Sequence, residues 1–217
     1  MERIIDGVLK FQREVYPNHK ELFHELSMSQ APAALFIGCA DSRVVPDMLT
    51  QQGPGDLFVV RNVGNIVPPY GPAPGGVTAG IEYAIAVLGV PDVIICGHSG
   101  CGAMTALLNG VEKLDRLPAT AQWLHYADDA CKVIEKMAQA DAATQLNALI
   151  HENVLVQLTN LLTLPVVADA VNAKQLHLHG WVYDIATGGV ETYDAQTAKF
   201  VPIGSASFMN ATPKAVC

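Results

Sequence analysis

The sequence predicts an α/β fold: a mostly parallel β-sheet flanked by helices, with an N-terminal helical arm ahead of it. Three observations lead there. Short apolar runs at residues 33–38, 57–60 and 93–96 are each bounded by Gly, Pro or Asp and are too short for stable helices, so they read as buried strands. Between the last two, residues 76–88 repeat apolar side chains at helical spacing and end at Gly89 and Pro91. Strand, helix and strand in that order imply a parallel pair, because parallel neighbours need a crossover. Finally, two segments rich in Gly, Cys and His follow directly on two of the strands, at the carboxyl ends where sites form in such sheets.

The remaining elements follow in order. Ile4, Ile5, Val8, Leu9, Phe11 and Val15 recur at helical spacing until Pro17 should stop them; Asn18 with Glu21 then predicts the start of a second amphipathic helix bearing Leu22, Phe23 and Leu26. Beyond the crossover, long helical patterns cover about 119–139 and 141–163, the second stopped by Pro165, and would cover the sheet or an oligomer partner. Residues 176–184 alternate weakly and, with Thr187-Gly188-Gly189 and the run 190–193, predict a strand followed by a hairpin. No repeat, low-complexity tract or Ser/Pro-rich linker divides the chain. The expectation is a single domain over 1–203 with an arm over 1–30, and a loose tail over 204–217, which is small, polar and without period.

Half of the 217 residues are apolar, enough to bury a sizeable core. Thirteen Lys and Arg against 21 Asp and Glu give a net charge of −8, which leaves no broad basic face for phosphates or anionic lipid, so neither nucleic acid nor a membrane is an expected partner. Charges scattered through residues 1–16 break any signal-peptide core, and no apolar run approaches the roughly 18 residues of a spanning helix; a cytoplasmic protein is expected. Five cysteines in such a chain point to fillers, metal ligands or nucleophiles rather than disulfides.

The chemistry-bearing segments are Gly38-Cys39-Ala40-Asp41-Ser42-Arg43 and Cys96-Gly97-His98-Ser99-Gly100-Cys101-Gly102. His98 and Cys101 can chelate one metal across a tight glycine turn, and Cys39, ending another strand, can add a third ligand, leaving one tetrahedral position open. Sulfur and imidazole donors favour zinc over magnesium or calcium. The alternative is buried, inert thiols. Asp41, kept ionised by Arg43, can accept a proton from water on the metal; the alternative is a loop-stabilising ion pair or a helix cap ahead of Pro46. A third reading makes Ser99 the nucleophile of a G-x-S-x-G-like elbow, with Asp169 or Asp184 and His177 or His179 behind it. Cys101 in place of the last glycine, and Cys39-x-Asp41-x-Arg43 left without a role, count against it. His19, His24, His125 and His151 fall on predicted helices without a ligand pattern, His177 and His179 read as structural, Cys96 and Cys131 read as apolar filler, and Cys217 is terminal.

With Cys39-x-Asp41-x-Arg43, Arg61-Asn62-Val63-Gly64-Asn65 and Gly97-His98-Ser99-Gly100-Cys101-Gly102, the sequence resembles the β-class carbonic anhydrases. The likeness extends through Pro46, Val67-Pro68-Pro69-Tyr70, Ile81-Glu82-Tyr83-Ala84 and Leu178-His179-Gly180-Trp181-Val182-Tyr183-Asp184, and stops near Ile203. It implies reversible hydration of carbon dioxide by homodimers or homotetramers with sites at the subunit interface. It also implies one zinc per chain on Cys39, His98 and Cys101, with Asp41 and Arg43 as a catalytic dyad. Gln30 matches an amide that contacts bicarbonate in plant-like members. Phe58, Val63 and Tyr83 match the lining of a narrow cleft, and the Gly102 amide matches a donor to bound anion. Some members carry a non-catalytic bicarbonate pocket with a tryptophan where this chain has Phe36, and the resemblance sides with the plant-like group that lacks it. Two thiolates acidify water less than three imidazoles would, so an alkaline optimum is expected. The rival functions are a related hydrolase of carbon disulfide or carbonyl sulfide and a non-catalytic zinc-stabilised binding protein.

Overall fold

The computed structural model describes residues 1–72 and 75–205, in two compact units that divide after Ala31. In the first unit, α1 (Glu2–Lys10) runs into a wide turn over Phe11–Val15 and a tight one over Tyr16–His19 before α2 (Lys20–Met28). Pro17 does not end the first helix; it sits inside the tight turn, where its missing N–H costs nothing. Asn18 does not cap the second either, because its amide donates back to the Glu14 carbonyl at 2.7 Å and His19 takes the cap position. Phe11, Tyr16 and Phe23 cluster at the bend, while Ile4, Ile5 and Val8 stay more than half exposed.

The second unit is a six-stranded sheet. Along the chain it comprises β1 (Ala34–Cys39), α3 (Pro46–Thr50), β2 (Leu57–Asn62) and α4 (Gly76–Glu82, prolonged by a wider turn over Tyr83–Val87), then β3 (Asp92–His98) and α5 (Gly102–Leu108). The rest is α6 (Pro118–Leu124), α7 (Lys132–Glu135), α8 (Ala142–Leu162), α9 (Pro165–Asn172), β4 (His177–Tyr183), β5 (Val190–Asp194) and β6 (Lys199–Pro202). The strand order is β2-β1-β3-β4-β5-β6; the first four are parallel and the last two antiparallel, so the mostly parallel α/β expectation holds. The register sets Cys39 beside Asn62, Gly38 beside Cys96 and His98 beside Tyr183, so chemistry-bearing residues gather at one edge.

Apolar residues fill both faces of the sheet, as continuous runs in parallel strands require. Leu35, Ile37, Val93 and Ile95 pack into the main core with α5 and α8, and Phe36, Ile94 and Cys96 into a smaller one with Leu49 and Trp181. The pattern over 141–163 is borne out by α8, whose cap Asp141 accepts from the Ala143 and Thr144 amides at 3.0 Å each. The pattern over 119–139 is not one helix. It breaks into α6, a 3₁₀ segment His125–Cys131 and α7, because the residues it buries, Leu124, Ala127 and Ala130, lie three apart and eclipse on a 3₁₀ spiral. The predicted hairpin forms between β4 and β5; β6 and α9 extend beyond what the pattern offered, and Pro165 starts α9 rather than only ending α8. The tail expectation falls almost wholly outside the described residues. Among those described, no single helix is long and apolar enough to cross a membrane.

Two glycines let α8 lie directly on the sheet. A Cβ at Gly180 would stand 2.8 Å from Val154 Cγ1 and 2.9 Å from Leu158 Cδ1, and one at Gly97 would stand 3.0 Å from Val154 Cγ2. Gly180→Ala is therefore expected to lower the unfolding free energy by about 1–3 kcal/mol through overpacking, as measured by denaturant titration, with no change in the residues at the strand ends.

Candidate metal centre

Three elements end at one point. Cys39 closes β1, His98 closes β3, and Cys101 caps α5 after a turn at Gly100, whose φ of +62° is reached without strain only by glycine. All three residues are buried, and their ligating atoms lie within 4.8 Å of one another. The elbow model fails here. The Ser99 hydroxyl accepts from the Ile185 amide at 2.9 Å, and the Asp184 carboxylate accepts from Thr187. His177 and His179 turn to Asp92 at the opposite end of β3, which is seven residues or roughly 20 Å away.

The imidazole of His98 is set up as a ligand. Its Nδ1 faces the Ser99 carbonyl at 3.0 Å, and a carbonyl only accepts, so the ring proton sits on Nδ1 and the lone pair on Nε2. Nε2 is buried and has no hydrogen-bond partner among the described residues, a costly state that a metal ion would relieve. The two thiols interact as closely. The facing Cys101 sulfur, with smaller help from His98 and the Asp41 and Gly64 amides, holds the Cys39 thiol well below the usual thiol range, against the effect of burial. Cys101 is pushed up by the same contact and by burial, so the pair favours one thiolate and one shared proton. Two sulfurs with one nitrogen are a zinc-type donor set, and a divalent cation held there would take the place of a thiol proton. Cys96 differs: fully enclosed in the sheet, its thiol is pushed up to about 12 by burial, as a core filler should be.

Beside the ligands, Arg43 grips Asp41 with both arms of its fork, Nε on Oδ1 at 2.9 Å and Nη2 on Oδ2 at 2.7 Å, and the Arg43 amide adds a third bond to Oδ1 at 3.0 Å. The guanidinium also reaches the Gly100 carbonyl at 3.0 Å, which ties the dyad to the ligand turn. Arg43 holds the Asp41 carboxyl well below the usual carboxylate range. Asp41 Oδ2 is 3.9 Å from His98 Nε2, too far to be its partner. Asp41 caps no helix either, since the cap position of α3 belongs to Val45. Arg61, which sequence reasoning left without a role, donates to the carbonyls of Cys39 at 3.0 Å and Asp41 at 2.7 Å and so fixes the strand end that carries them.

The other candidates are more scattered. Phe58 on β2 and Tyr83 at the end of α4 stack with ring centroids 5.9 Å apart, and Val63 lies in the loop after β2, its carbonyl held by Trp123 at 2.8 Å. Val63 and Tyr83 are both exposed. Gly102 is the first residue of α5. Gln30 lies in the N-terminal unit beyond α2 and is exposed. Phe36 is fully buried and meets Trp181 edge-on.

Comparison with known proteins defines the class. Residues 34–190 match the family described as carbonic anhydrase. The chain is 54% identical over 203 residues to a carbonic anhydrase of Pseudomonas aeruginosa, covering 94% of this chain and 92% of that one. It is 50% identical to carbonic anhydrase 1 of Escherichia coli O157:H7, covering 94% and 93%. Among solved structures, the β-carbonic anhydrase CcaA superposes with a TM-score of 0.90 at 42% identity, covering 93% and 91%. A tetrameric β-carbonic anhydrase of Sordaria macrospora gives 0.78 at 28%, covering 88% and 95%. The fold and the strand-end cluster thus define an α/β enzyme of the carbonic anhydrase class. The chain belongs to the carbonic anhydrase family, in its β class.

The donor set makes a direct prediction about metal. Chelator-treated protein titrated with Co²⁺ should take up about one equivalent per chain and develop sulfur-to-cobalt charge-transfer absorption. Cys101→Ser, which removes one of two sulfur donors, should weaken cobalt uptake and cut that absorption by about half or more, whereas Cys96→Ala, which alters a buried thiol of β3, should leave both unchanged.

Proposed function

We propose that the protein catalyses the reversible hydration of carbon dioxide to bicarbonate and a proton, with one zinc ion per chain held by Cys39, His98 and Cys101. The observation that carries this reading is the buried, unpartnered Nε2 of His98 set among two thiols and next to the Asp41–Arg43 fork. Zinc bound there is a Lewis acid that supplies a nucleophile from water near neutral pH. Everything else falls to the chain. Asp41, an acceptor on both oxygens once ionised, takes and orients a proton beside the ligands, and Arg43 keeps it ionised and aimed.

An apolar cleft of Phe58, Val63 and Tyr83 would admit carbon dioxide while excluding water, and the Gly102 amide would steady the negative charge that develops on the product. Sites of this kind are completed by a second copy. The amphipathic arm, with Ile4, Ile5 and Val8 unburied, and the tetrameric state of the Sordaria relatives support a homodimer or homotetramer. A small gas and its anion are the only partners this chemistry requires.

Stopped-flow assay of carbon dioxide hydration tests the activity; turnover of carbon disulfide with none of carbon dioxide would overturn it. The dyad has its own test. Asp41→Asn keeps the shape and loses the charge, so turnover per bound zinc should fall about 10²-fold or more, with zinc content and melting temperature near wild type. Arg43→Lys should also be damaging, since a point charge cannot replace the fork. Full activity per zinc in Asp41→Asn would reduce the pair to a structural role.

A further inference from the structure

The loop after β2 is held by a column of polar side chains on α8. Asn153, Gln157 and Asn160 follow one another at helical spacing, and the first two are buried. Asn153 Nδ2 donates to the Gly64 carbonyl at 3.1 Å. Gln157 accepts from the Val67 amide at 2.9 Å and donates to Asn153 Oδ1 at 2.9 Å, while Asn160 donates to the Val67 carbonyl at 3.0 Å. One turn on, the Thr163 hydroxyl accepts from the Tyr70 amide at 2.7 Å. Buried amides cost free energy unless every group is partnered, and apolar side chains of α8 already fill the core. The column therefore has another use.

That use shows at its first rung. Gly64 has φ +82° and points its N–H at Cys39 Sγ, 3.4 Å away. Only glycine fits there without strain, because a Cβ would stand 3.1 Å from Ala103 Cβ and 3.3 Å from Met104 Cε on α5. The same residue thus gives its carbonyl to Asn153 and its amide to a ligand sulfur. We propose that Asn153 is a positioning residue for the metal centre: by holding the Gly64 carbonyl it aims the Gly64 N–H at Cys39 and so fixes the direction in which that sulfur meets the ion. The inference rests on the metal-centre reading above and adds to it a residue 114 positions from the ligand it serves. Groups that orient a metal ligand are typically worth 10–100-fold in metal affinity.

Asn160 provides the control, since it belongs to the same column and the same helix but bonds Val67 instead of Gly64. In cobalt-loaded protein, Asn153→Ala should weaken metal retention against a chelator about 10-fold or more and shift the sulfur-to-cobalt absorption. Asn160→Ala should lower the melting temperature and leave both metal readouts unchanged. Equal metal loss in the two variants, or none in either, would overturn the proposal, as both would then be structural. If Asn153→Ala does not fold, Asn153→Ser, whose hydroxyl is too short to reach Gly64, carries the same comparison. The wild type adds a measurement independent of folding: in the metal-loaded protein the Gly64 amide proton should exchange slowly, and fast exchange defeats the idea. Wild-type protein that takes up no cobalt would instead overturn the metal centre itself, so the two failures are separable.

Discussion

The constraint on which this structure turns is the burial of two sulfur atoms and one imidazole nitrogen at a single point. The Cys39 thiol is lowered and the Cys101 thiol raised by their mutual contact, and the His98 Nε2 finds no hydrogen-bond partner among the described residues. Left to themselves such groups would separate or hydrate. The fold prevents both by placing each on a different rigid piece: the end of β1, the end of β3 and the cap of α5. The parallel register is what brings the first two together, since Gly38 and Cys96 are directly paired and the next residues carry on toward the same edge.

Backbone hydrogen bonds then do the fine placement. The Ser99 carbonyl sets the His98 tautomer, Arg61 grips the carbonyls of Cys39 and Asp41, and Arg43 joins the Asp41 carboxylate to the Gly100 carbonyl. Each of these tethers ends on a main-chain carbonyl of a strand end or turn, which ties the reactive side chains to the backbone. Ser99, the residue a nucleophile search selects, belongs to this scaffold: its amide and hydroxyl fasten the end of β3 to Tyr183 and Ile185.

How much of this the sequence disclosed follows from the range of each interaction. Strands buried on both faces leave continuous apolar runs, and the helix that crosses between them leaves a period, so the parallel core was readable between 33 and 96. The ligand cluster was readable as well, because Cys39, His98 and Cys101 each follow a recognisable strand. The stretch from 119 to 139 misled because alanines satisfy a helical period as well as a threefold one, and only the packing of Leu124, Ala127 and Ala130 selects between them. Arg61 was legible only as part of the Arg61–Asn65 motif, and Asn153 left no signal of function, since what they touch is main chain elsewhere in the sequence. A buried amide at helical spacing, about three turns from the start of a long apolar helix, was the one available clue, and its polar partners were invisible.

The span of those contacts bears on the order in which the molecule is made. All three ligand residues and the Asp41–Arg43 pair are present once the chain has been synthesised to residue 101, and the first three parallel strands by residue 98. The bonds from α8 to the loop close over 89 and 90 residues and must wait for the helix. Closing loops of that length is slow relative to local structure, although the added entropy grows only with the logarithm of length. A nascent chain therefore carries both cysteines, the histidine and the Asp41–Arg43 pair well before it owns the scaffold that aims them. Docking of α8 onto Gly97 and Gly180 is then the event that gives this cluster of donor side chains a fixed shape.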